Sequence, residues 1–162
     1  VSAEVELVSS DDPAFLALRT EIQGTPRQHG YYLVDRVSIR GLQDLEPDAL
    51  LERVFRHFDD AEWAPDDQRP TDQTWLDYAT TAEGARSAAI DALVGGSEIG
   101  HARDTIPPAQ AAALWEHFEA LFPPPRAYYV GMGFGDARYV FQRGAAIVSA
   151  EFAGLVWVVE SD

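Results

Sequence analysis

The 162-residue chain contains no cysteine, no lysine and no asparagine. Without cysteine there is no thiolate nucleophile, no disulfide, no iron–sulfur cluster and no thiolate zinc site. Without lysine there is no Schiff-base chemistry, no linkage to pyridoxal phosphate and no phosphate-binding lysine of a Walker loop. Abundant alanine and arginine beside these absences match the codon bias of a high-GC bacterial genome. A long hydrophobic run is missing as well. The longest runs, residues 155–159 among them, fall far short of the roughly 20 residues that span a bilayer. Glu4, Glu6, Asp11 and Asp12 sit where a secretory leader needs neutrality, so the expectation is a soluble, cytoplasmic protein with no membrane contact.

Positive charge is also scarce. Twelve arginines face 27 acids, a net charge of −15, which opposes attraction to nucleic acid phosphates or anionic lipid over most of the surface. The imbalance is uneven. Residues 1–43 carry six acids and four arginines, residues 44–78 eleven and three, and residues 79–162 ten and five, giving −2, −8 and −5. Over half of the charge therefore lies in about a fifth of the chain.

With 46% apolar residues, including four Trp, six Tyr and eight Phe, the chain can bury a sizeable core. No repeat and no second core are visible, so residues 1–162 read as a single domain, helix-rich with two strands in 1–125 and a β-meander in 126–162. Val5 and Leu7 alternating with Glu4 and Glu6 predict a first strand at residues 2–8. Asp12 before Pro13 is a helix start, and Phe15, Leu18 and Ile22 give an apolar stripe that ends at Gly24 and Pro26. Tyr31, Leu33, Val37 and Ile39 alternate along a second strand. Three more helices are predicted over 47–58, from Thr80 to the Gly95–Gly96 pair, and over 107–122.

Beyond Arg126 the texture turns β-branched, aromatic and glycine-punctuated. Residues 127–134, 137–142, 145–150 and 154–159 read as four strands, with turns at Gly135–Asp136, at Arg143–Gly144 and around Phe152 to Gly154. Their connections are too short for helical crossovers, so neighbours run antiparallel. The expected fold is α+β: one largely antiparallel sheet with a C-terminal four-strand meander, and about four helices packed on one face.

Several patterns could carry chemistry. The glycines of "GMGFGD", Gly131 to Asp136, lie in strand texture and do not open a helix, so a phosphate cradle is not expected there. Ser97 in "GGSEIG" lacks the spacing of a nucleophile elbow. Asp35 falls on the apolar face of its strand, where a buried carboxylate could act as an acid or base, or be held by Arg36 or another arginine. Among the four histidines, His29 has no nearby acid and His117 lies at the boundary of its helix's apolar face. His57, followed by Asp59 and Asp60, and His101, followed by Asp104, have neighbouring carboxylates. A metal-dependent hydrolase using His57, Asp59, His101 and Asp104 is the enzymatic reading.

The stretch "HFDDAEWAPDDQRPTDQTWLDY", His57 to Tyr78, holds seven carboxylates, two tryptophans and one arginine. It has no glycine and no alternating acids for a calcium loop. Carboxylates interleaved with tryptophan fit the face that a basic protein lands on. The contact residues expected are Asp59, Asp60, Glu62, Trp63, Asp66, Asp67, Asp72, Trp75 and Asp77. The leading expectation is thus an acidic protein-binding module, of the kind in which an inhibitor or immunity protein masks a basic partner, with no cofactor. A small-molecule pocket lined by Tyr31, Tyr128, Tyr129 and Trp157 is a further reading.

Overall fold

A computed structural model describes residues 6–26, 30–60, 74–95, 106–131 and 141–160. They form a five-stranded sheet, β1 (Gly30–Ser38), β2 (Ala79–Thr80), β3 (Ala127–Val130), β4 (Phe141–Val148) and β5 (Phe152–Glu160), in the order β1-β5-β4-β3-β2. Every pairing is antiparallel. The helices are α1 (Pro13–Gln23), α2 (Pro47–Asp60), α3 (Ala82–Val94) and α4 (Pro108–Glu119). The α+β single domain with an antiparallel sheet is therefore observed, with a different strand arrangement at its carboxyl end.

β5 organises the domain because it is apolar on both faces. Val156 and Val158 point into one cluster, with Phe15, Ala89, Trp115 and Phe118 from α1, α3 and α4. Leu155, Trp157 and Val159 point into the other, with Leu51, Val54, Phe55 and Phe58 from α2. The expected single helical layer is thus two: α1, α3 and α4 cover one face and α2 covers the other. A sheet with no polar face cannot leave one side to water, since each buried branched or aromatic side chain is worth about 1.5–3 kcal/mol over its exposed state.

The four-strand meander is corrected to three described strands, and the reason is Gly144. Read from sequence as a turn, it lies inside β4, opposite Trp157. At φ 152° a Cβ there would stand 2.1 Å from the Val156 carbonyl oxygen and 2.8 Å from Trp157 Cα. Glycine is needed for the close approach of β4 to β5, and the strand runs straight through. The hairpin turn between these strands lies at residues 149–151, closed by Ser149 N–H donating to Phe152 O at 2.8 Å. Residues 132–140, with the Gly135–Asp136 turn, lie outside the described residues. The neighbour that completes β5 is β1, the first strand, so the two halves of the chain close in one sheet.

Two amino-terminal expectations change. Residues 6–8 are not strand, residues 1–5 lie outside the described residues, and Ser9 alone bridges Val37. Leu7 still reaches the core under α2. The helix start at Asp12 is as read: its carboxylate accepts from Phe15 N–H at 3.3 Å. Arg36 ties this end to the sheet. Its Nη1 donates to Ser10 Oγ at 3.1 Å, and Ser10 N–H donates to Arg36 O at 2.7 Å.

Candidate functional site

Strand alternation sends Tyr31, Leu33, Asp35 and Val37 toward α2, and Tyr32, Val34 and Arg36 toward the opposite face. Asp35 is 8% exposed. Its Oδ1 accepts from Arg36 N–H at 2.8 Å, and its Oδ2 lies 3.7 Å from Nε2 of His57, on the last turn of α2. The partner is therefore a histidine and not the arginine next to it. Adjacent residues of a strand face opposite ways, and the Arg36 guanidinium instead lies 3.5 Å over the Phe152 ring. Burial pushes that guanidinium below its usual pKa, against the pull of Asp12 and Glu151 in the other direction.

Asp35 and His57, each singled out by the sequence for separate reasons, thus form one site. A carboxylate beside a histidine fixes the orientation of the imidazole, so the pair can hold α2 to the sheet. Among the described residues no three His, Asp or Glu side chains converge to hold a metal ion. His101 and Asp104 lie outside the described residues. Asp59 lies on the last turn of α2, and its side chain is not described.

The acidic stretch begins on the last turn of α2 with Asp59 and Asp60. Glu62, Trp63, Asp66, Asp67 and Asp72 lie outside the described residues. Trp75 and Asp77 sit in a 3-10 turn, Trp75–Tyr78, and the two differ. Asp77 is exposed, and its Oδ2 accepts from Thr74 N–H at 3.1 Å. Trp75, expected on the face a partner meets, is 5% exposed and belongs to the core. Its ring packs 4.9 Å from Phe55 and 5.9 Å from Tyr78. Its backbone N–H donates to Asp48 Oδ1 at 2.7 Å, and its indole N–H donates to the Glu52 carboxylate. An indole needs an apolar bed and one acceptor, and α2 offers both on adjacent turns.

Two acids of the most negative stretch, Asp48 and Glu52, are thereby anchors. The chain leaves α2 at its carboxyl end and returns to its first turns, points separated by roughly 12–18 Å at 1.5 Å rise per residue. No local pattern in the sequence reports that the acids of α2 meet a tryptophan so far along the chain.

The expected aromatic pocket is not formed. Tyr128 faces α3 and α4, whereas Tyr129, Trp157 and the half-buried Tyr31 face α2, so the sheet itself divides the four residues. Tyr128 donates to Glu119 Oε2 at 2.5 Å. Burial and then that carboxylate raise its pKa; burial alone raises that of Tyr129. His117 is exposed on α4, and Ser97 and residues 132–136 lie outside the described residues. Compared with known protein families, curated proteins and solved structures, the chain matches none.

Proposed function

We propose that this chain is a binding protein that presents the acidic stretch from Asp59 to Asp77 to a basic protein, in the manner of an inhibitor that masks a cationic surface. The observation that carries the reading is the balance of −8 within residues 44–78. Like charges at this density repel one another and gain most from a positive partner. Its support from the fold is the attachment at both ends: α2 on one side, with His57 against Asp35, and Trp75 seated on Asp48, Glu52 and Phe55 on the other. Rigid flanks reduce the ordering cost of binding. Trp75 serves as the anchor in this arrangement, and Trp63 is the remaining aromatic contact residue.

The test is association kinetics with a basic partner recovered by affinity capture from the source organism's lysate. Asp59→Asn, Asp60→Asn, Asp66→Asn and Asp67→Asn together should slow association by about tenfold at low salt and flatten its salt dependence. Unchanged kinetics would overturn the reading.

A further inference from the structure

Between α1 and α4 lies a groove of about 250 Å³, lined by Ala14, Ala17, Leu18, Glu21, His117 and Leu121. The groove has a local cause. Ala14, Ala17, Leu18 and Glu21 follow the i, i+3, i+4, i+7 spacing that sets them on one face of α1. Phe15 and Ile22 point into the core, while the exposed Ala14 and Ala17 offer only methyl groups, so the two helices leave space over the buried Leu18. Leu121, half-buried just beyond α4, adds an apolar wall.

Glu21 supplies the one carboxylate among the described lining residues, and it is exposed. Its Oε2 accepts from Gln110 Nε2 at 3.5 Å, the long limit of a hydrogen bond, and its Oε1 has no partner among the described residues. A neutral amide leaves the carboxylate its full charge, with room for further donors. Among the described residues no arginine lines the groove, and the guanidinium of Arg19 on α1 is turned over the Phe15 ring at 5.4 Å. His117 stands on α4 well past Gln110, about 10 Å along the axis at 1.5 Å rise per residue, which places the imidazole toward the other end.

We propose that this groove binds a small primary amine with an apolar body, held as its ammonium ion. The ammonium N–H groups donate to Glu21 in charge-assisted bonds. Ala14, Ala17, Leu18 and Leu121 cover the body. A volume just under the roughly 300–1,000 Å³ typical of small-ligand sites limits that body to a few carbons. The net charge of −15 draws cations toward the surface and disfavours anionic ligands. The groove uses no residue of the acidic stretch, and so goes beyond the proposed function.

Thermal unfolding with 3-methylbutylammonium as the probe tests this, in about 0.15 M salt to screen attraction to remote acids. The midpoint should rise by about 4 °C at roughly tenfold excess over Kd. Methylammonium, which lacks the body, and 3-methylbutan-1-ol, which lacks the charge, should each give less than half of that rise. Glu21→Gln should abolish the rise. Ala17→Leu, which fills the groove from an exposed position on α1, should abolish it with the fold intact by circular dichroism, and decides the matter if Glu21→Gln does not fold. An equal rise with either control, a rise retained in either folded variant, or no rise at about 10 mM probe, where even Kd near 1 mM would register, overturns the proposal.

Discussion

Nε2 of His57, on the last turn of α2, stands 3.7 Å from Oδ2 of Asp35, on β1. The pair crosses the interface between the sheet and the one described helix on that face, and it is partly shielded from water, with side-chain exposures of 25% and 11%. Partial shielding places its worth at the upper end of the about 0–1 kcal/mol found for surface pairs. A double-mutant cycle with His57→Gln and Asp35→Asn, followed by urea unfolding, should return a coupling of about 1 kcal/mol. Additive single effects would mean that the two side chains are neighbours without interacting.

Trp75 should behave as a core residue. Trp75→Ala should lower the unfolding free energy by about 3–5 kcal/mol, as expected when a large buried ring is removed. Trp75→Phe keeps most of the contact with Phe55 and deletes the indole bond to Glu52, so it should cost about 1–3 kcal/mol. Urea titrations of the two variants against the native chain measure both effects. A loss below 1 kcal/mol for the alanine variant would contradict the burial.

Alkaline pH should destabilise the fold through its tyrosines. Tyr128 and Tyr129 both have pKa values raised above the ordinary 10.0. A raised pKa means that the folded state keeps its phenolic proton where the unfolded chain has released it. The contribution is therefore complete below pH 10 and is lost as pH rises from there through the folded pKa. Unfolding free energy should fall as pH rises above about 10, and Tyr129→Phe, which keeps the ring and removes the titrating group, should make that fall shallower. An identical slope for the variant would show that other groups carry the effect.

The elements were legible wherever one local rule decided them. The Asp12–Pro13 start and the Phe15, Leu18 and Ile22 stripe gave α1 its observed bounds, and the alternation around Tyr31 to Val37 gave β1. Gly144 misled because glycine serves two ends. Its role in a close strand approach and its role in a turn look the same in one dimension, and the Val156 carbonyl that distinguishes them lies on another strand. The placement of α2 was misread for a similar reason. An amphipathic helix shows that it has a buried face, and the face of the sheet that receives it depends on how the chain crosses over.

The sequence by itself determined the chemistry this protein cannot perform, its uneven negative charge, and most of its helices and strands, because composition and periodicity are local properties. Only the tertiary structure decided which residues meet. It joined Asp35 to His57, buried Trp75 against α2, and split four aromatics between two sides of a sheet. Each outcome depends on packing between segments distant along the chain, where burying an apolar surface and satisfying its N–H groups must be solved together.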